Sequence, residues 1–235
     1  MTEIMRPGGA LGNRPLHFFW IVDCSGSMIE DRIAAVNHAI TTVLPSMREA
    51  AEEEADAQVL IHILKFSDSA AWITPAPVPL ESFEWTNMDA DQGALTSMGK
   101  AFELLAGQLT IPPMTERALP PVLVLLSDGQ PTDDYKPPLE KLLNLPWGTK
   151  AVRVAIAIGK GADVGVLQEF TGNGELVLQA NSPEELVKMI RWTSTIIKPV
   201  SNPPSRGIDE AAGESNVALN TASIPRSGGT AMDVW

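Results

Sequence analysis

A chain of 235 residues with 44% apolar content fits one large α/β domain with appendages, and is long enough to bury a sizeable core. Its net charge of -12 sets it against nucleic acid and anionic lipid, both of which would repel it. Cys24 is the single cysteine, so neither an intramolecular disulfide nor a thiolate metal site is available, and no apolar run reaches the roughly 18 residues that cross a bilayer.

Residues 1–14 carry Pro7, Gly8, Gly9 and Gly12 and read as a flexible leader without the apolar core of a signal peptide, so the expected compartment is cytoplasmic. Leu16 to Val22 is apolar, aromatic and β-branched with no helical period, which predicts a strand buried on both faces. It ends at Asp23, and Ser25 and Ser27 follow at alternate positions with Gly26 between them to let the backbone turn. One carboxylate and two hydroxyls on a short loop form a cluster of hard oxygen ligands suited to Mg²⁺ or Mn²⁺. The same loop also reads as a turn with Ser27 capping the next helix.

Ile33, Val36, Ile40, Val43, Leu44 and Met47 recur at helical spacing, so Glu30 to about Ala55 is expected to be an amphipathic helix, kinked or split at Pro45. Gln58 to Phe66 predicts a second buried strand. Ala71 to Val78, interrupted by Pro75 and Pro77, suits an edge strand. A loop from Glu81 to Gln92 leads to Gly93-Ala94-Leu95-Thr96-Ser97-Met98-Gly99, which opens a helix through about Leu109 with Thr96 or Ser97 as its cap. Val122 to Leu126 is another wholly apolar strand, and Asp128-Gly129 follows it; such a pair is also common in plain turns. Expected thereafter are helices at Pro138 to Leu145 and Val164 to Phe170, strands at Val152 to Ile158 and Glu175 to Gln179, and a helix from Ser182 to about Ile197 started by Ser182-Pro183-Glu184-Glu185. Strands alternating with helices imply a doubly wound, mainly parallel sheet with one antiparallel edge strand and helices on both faces. Residues 199–235 change composition and read as a flexible C-terminal tail in which Val217 to Leu219 and Met232 to Trp235 are apolar enough to dock.

Asp23-x-Ser25-x-Ser27, the Thr96 loop and Asp128 together resemble the metal-ion-dependent adhesion site of von Willebrand factor type A domains, over roughly Pro15 to Lys198. In overall character the chain is most similar to the bacterial TerY-type proteins of tellurium-resistance and stress operons. The resemblance implies a Rossmann-like fold in which the strands ending at Asp23 and Asp128 are neighbours where strand order reverses, so that three loops meet. It further implies that Ser25 and Ser27 bind the metal directly, Thr96 directly or through water, and Asp23 and Asp128 mostly through metal-bound water. So few charged ligands leave positive charge on the ion for an Asp or Glu of a protein partner.

The TerY resemblance implies a non-enzymatic scaffold or substrate beside a Ser/Thr kinase and a phosphatase, with Thr221, Ser223, Ser227 and Thr230 within a kinase's reach. Two other readings stay open. One is a Mg²⁺-dependent phosphotransferase or phosphatase with Asp23 as nucleophile, although Ser25 stands where a second acid is expected and only Lys65 or Lys100 could approach in space. The other is a subunit of a metal-chelatase or other AAA+ assembly. Glu214, Asp233 or the C-terminal carboxylate, anchored by Met232, Val234 and Trp235, would be able to reach the ion from the tail.

Overall fold

The computed structural model describes residues 13–54, 56–201 and 219–225. The first strand, β1 (Arg14–Asp23), is the axis of the sheet. It pairs in parallel with β2 (Ala57–Phe66) on one side and with β5 (Val122–Ser127) on the other. Its side chains alternate between two cores, as period-2 geometry requires. Phe18, Trp20 and Val22 face one cluster and Phe19 and Ile21 the other, and all five are fully buried. β6 (Val152–Ile158) and β7 (Val177–Ala180) extend the parallel sheet beyond β5. On the far side, β3 (Ala70–Trp72) and β4 (Val78–Pro79) both pair antiparallel with β2, giving the order β3-β2-β1-β5-β6-β7 with β4 also on β2. The expected antiparallel edge strand is therefore present in two pieces. Pro75 and Pro77 lie in the gap, where neither could donate to a ladder.

Helices cover both faces. α1 (Asp31–Glu52), α6 (Pro183–Ser194) and α7 (Ile197–Ser201) pack on the Trp20 face. α2 (Met98–Gln108), α3 (Lys136–Leu143), α4 (Pro146–Lys150) and α5 (Val164–Thr171) pack on the Phe19 face. Pro45 does not split α1, which runs as one element through it. A proline in a helix interior costs about 3 kcal/mol. Here Ile33, Val36, Ile40, Val43, Leu44 and Met47 are all buried along one stripe, and each contributes about 1.5–3 kcal/mol, which outweighs the loss. Ser182 caps α6 as its sequence predicts, accepting the Glu185 N–H at 3.3 Å, and the Glu185 carboxylate reaches back to the Asn181 N–H at 2.9 Å.

The region read as a tail contributes ordered pieces. α7 carries the last helix past Lys198, and a 3-10 turn at Thr221–Ser223 lies against α6. There Leu219 and Ile224 pack on the Trp20-face core and the Trp192 Nε1–H donates to Ser223 Oγ at 3.2 Å. The leader through Gly12, Glu214, Val217, Ser227, Thr230 and Met232 to Trp235 lie outside the described residues. Among the described residues no helix is long and apolar enough to cross a membrane.

Candidate metal centre

The register of the sheet brings two strand ends together. Asp23 is level with Phe66 on β2, and Val22 is level with Leu126 on β5, so the next residue of β5, Ser127, stands beside Asp23. The Ser127 hydroxyl donates to Asp23 Oδ2 at 2.6 Å and accepts the Gly129 N–H at 2.8 Å. The other oxygen, Asp23 Oδ1, accepts the Ser25 N–H at 2.9 Å. The carboxyl is wholly buried. Burial pushes its pKa up and the nearby Asp128 adds to that, while hydrogen bonds from Ser127 and Ser25 pull it back.

Ser25 and Ser27 hold their hydroxyls 3.1 Å apart. Ser25 is buried, whereas Ser27 is exposed, so the pair reaches from the interior to solvent. Ser27 lies within a 3-10 turn, Gly26–Met28, and does not cap α1. The residue ahead of α1 is Glu30, at φ 60°, a left-handed conformation that non-glycine residues seldom take. Gly26 is needed for a reason other than turning. Its φ is not positive, but its N–H donates to the Ala94 carbonyl at 3.0 Å, and a Cβ there would sit 3.2 Å from the backbone of Gly93 and Ala94. The close approach locks the Asp23 loop onto the loop that carries Thr96.

Thr96 is buried, and its backbone is tied to the third loop. Its N–H donates to Thr132 Oγ1 at 3.0 Å and its carbonyl accepts the Thr132 N–H at 2.9 Å. Neither Thr96 nor Ser97 caps α2 through its side chain: Ser97 Oγ donates to the Asp68 carbonyl at 3.0 Å. The cap comes from across the fold, where Asp133 accepts the Gly99 and Lys100 N–H groups at 3.0 and 3.3 Å.

Asp128 is 2% exposed. Its Oδ2 lies 3.5 Å from the Arg32 guanidinium, and its Oδ1 is buried with no hydrogen-bond partner. Such an orphan acceptor marks a place for water or a cation. Gly129 follows at φ +68°, and a Cβ there would meet the Asp163 carbonyl at 2.6 Å, so only glycine lets the chain turn away here.

The structure thus gathers Asp23, Ser25 and Ser27 on one loop, ties that loop to the Thr96 loop through Gly26, and ties the Thr96 loop to the Asp128 loop through Thr132. The donor set is all oxygen, hard and mostly neutral. No group of three His, Cys, Asp or Glu suited to a metal exists among the described residues. Cys24, between Asp23 and Ser25, is buried, and burial pushes its thiol up to about 12. Ser127, Thr132, Asp133 and Arg32 escape a reading of the sequence by motif. For Ser127 the available signal is a lone hydroxyl closing an apolar strand; for Arg32 it is a cation in a helix's first turn, where the dipole favours acids.

Solved structures with the same fold include proximal thread matrix protein 1 from the mussel byssus with a zinc-occupied MIDAS motif (TM-score 0.59, 15% identity, covering 80% of this chain and 48% of that one). They also include the pilus adhesin SpaC from Lactobacillus rhamnosus GG in an open conformation (0.61, 14%, 78% and 30%) and the conserved hypothetical protein BatB from Bacteroides thetaiotaomicron (0.52, 15%, 78% and 98%). The chain spans about half the length of the mussel protein and under a third of the adhesin. A search of curated proteins gives no match. The family model described as von Willebrand factor type A domain matches residues 19–191, well over half of the sequence, and the chain belongs to that family.

Proposed function

We propose that this domain is a non-enzymatic protein-interaction module that holds a divalent cation, Mg²⁺ or Mn²⁺, and captures an Asp or Glu of a protein partner. The observation that carries the reading is the Ser25–Ser27 hydroxyl pair, 3.1 Å apart, on the loop of the buried Asp23 and linked through Arg32 to the buried Asp128, whose Oδ1 has no hydrogen-bond partner. Ser25 and Ser27 would hold the ion directly, Thr96 directly or through water, and Asp23 and Asp128 through bound water. The ion would supply a Lewis-acidic point at which a partner's carboxylate closes the coordination sphere.

The chain's own contribution is positioning. Ser127 and the Ser25 N–H fix both oxygens of Asp23. Gly26 and Thr132 hold the three loops in register. Ser27 leaves an approach from solvent. A mostly neutral ligand set keeps charge on the ion, which lets an acidic protein bind an acidic partner at one point. The zinc-occupied site of the mussel protein supports a divalent ion in this fold. The TerY-like character of the sequence supports a finer reading: a cytoplasmic scaffold or substrate in a bacterial kinase and phosphatase system of tellurite or stress response. Of the candidate phosphorylation sites, Ser223 has its hydroxyl engaged with Trp192 and with the Asn220 carbonyl, so a kinase would first have to free it.

Isothermal titration with Mg²⁺ and Mn²⁺ tests the ion site. D23A and T96A should abolish binding and metal-dependent partner capture while the domain still melts cooperatively. Unaltered affinity in both variants refutes the assignment.

A further inference from the structure

We propose that Arg32 is a built-in competitor of the ion: its guanidinium shares Asp128 with the cation site and has to release it when a divalent ion settles there. The proposal rests on the reading of Asp23, Ser25, Ser27, Thr96 and Asp128 as the ion's holders, and adds a residue that regulates them.

Arg32 is the second residue of α1. A positive charge in a helix's first turn lies against the macrodipole, where an acid would be favoured. Its contacts account for the placement. Nη1 donates to the Ser27 carbonyl at 3.1 Å and lies 3.5 Å from Asp128 Oδ2. Both partners belong to the candidate ion site: one is the backbone of a hydroxyl ligand, the other a carboxylate that would hold metal-bound water. The ion-pair distance is long and Asp128 Oδ1 has no partner, so the carboxylate is incompletely satisfied by the guanidinium.

A divalent ion beside Ser27 and Asp128 would stand a few ångströms from this guanidinium, and the two would repel in a site where Asp23, Ser25, Thr96 and Asp128 are all buried. The guanidinium and the ion then compete for Asp128, and the conflict weakens ion binding. It can be relieved by movement. The Arg32 side chain is 23% exposed against 3% for Asp128, so its route to solvent is open while the carboxylate stays fixed. Removing the charge should therefore tighten the ion.

The test is calorimetric titration of the full chain with Mn²⁺ alone, comparing the native protein with R32Q, R32K and R32M, each checked by melting in EDTA. R32Q and R32M should bind Mn²⁺ about tenfold more tightly, as removal of a near like charge predicts, and R32K should stay close to the native value. R32M keeps the aliphatic stem and serves where R32Q melts early. Equal or weaker binding by both neutral variants overturns the inference and leaves the ion site standing. Absence of Mn²⁺ binding in the native protein and in every variant overturns the ion site, and the inference with it.

Discussion

Asp23 is wholly buried, and the Ser127 hydroxyl 2.6 Å away is one of the donors that favour its charged form. Burial pushes this acid upward, and hydrogen bonds from Ser127 and Ser25 oppose the push. S127A removes one bond to a charged group, worth about 1.5–3 kcal/mol. In the metal reading, a protonated Asp23 can no longer orient ion-bound water. S127A should therefore weaken Mn²⁺ binding by about tenfold at pH 8, since about 1.4 kcal/mol is a factor of ten. The deficit should widen at a lower pH, because losing this hydrogen bond raises the acid further. Titrations at both pH values check this. A residue with a merely structural role would lower the melting temperature and leave the Mn²⁺ affinity and its pH profile unchanged.

At the scale of elements, α2 is started by a residue from another loop. Asp133 accepts the Gly99 and Lys100 N–H groups, and Gly99 leaves no room for a Cβ, which would lie 2.9 Å from Asp133 Oδ2. D133A should destabilise the domain by about 1 kcal/mol, the usual value of a lost N-cap. Because Thr132 bridges the same loop to Thr96, the effect should appear in denaturant unfolding and also as faster amide exchange at Thr96. D133N, which can still accept, should recover most of the loss. The contrast with α6 shows what a sequence carries. Ser182 and Glu185 cap their own helix, three residues apart, and are legible as a pattern. The Asp133 cap crosses 34 positions and belongs to no local pattern. The strands β1, β2, β5 and β6 were legible for a similar reason, since a strand buried on both faces is a continuous apolar run. α4 was not, because Pro146 to Lys150 is a single turn in which only Trp147 and Gly148 are buried, too short for a period to emerge. At the candidate site the hydroxyl and acid motif was visible in the sequence. Its supports, Ser127, Thr132 and Arg32, are set by strand register and loop packing and became visible only in three dimensions.

Across the whole molecule, the sheet contains a second pair of polar residues that the candidate site does not use. His17 on β1 and His62 on β2 are 7% and 3% exposed, and His17 Nδ1 lies 2.8 Å from His62 Nε2. The His62 ring stacks on Phe19 at 4.2 Å between centroids and meets Trp72 edge-on at 6.1 Å. One ring nitrogen must donate and the other accept, which a neutral pair meets with one suitable tautomer, and burial disfavours adding a charge. Burial pushes His62 down to about 3, with the neighbouring His17 adding to the shift, and burial also lowers His17. A histidine whose folded pKa lies below its unfolded value of about 6.5 lends stability that is present above pH 6.5 and is lost as the pH falls toward the folded value. Between pH 6.5 and 4 the unfolded chain protonates His62 while the folded sheet does not, so this imidazole removes about 1.4 kcal/mol of stability per pH unit. Asp23 has the opposite sign, because its raised carboxyl is better tolerated in the folded state as the medium becomes acidic. A comparison of variants separates the two. H62F keeps the ring stacked on Phe19 and removes the most strongly shifted imidazole, so its melting temperature should fall less steeply between pH 7 and 5 than that of the native protein. Thermal melts in EDTA at half-unit pH steps measure the slope without any contribution from a bound ion. Parallel slopes for the two proteins would assign the acid sensitivity to carboxylates and not to the sheet.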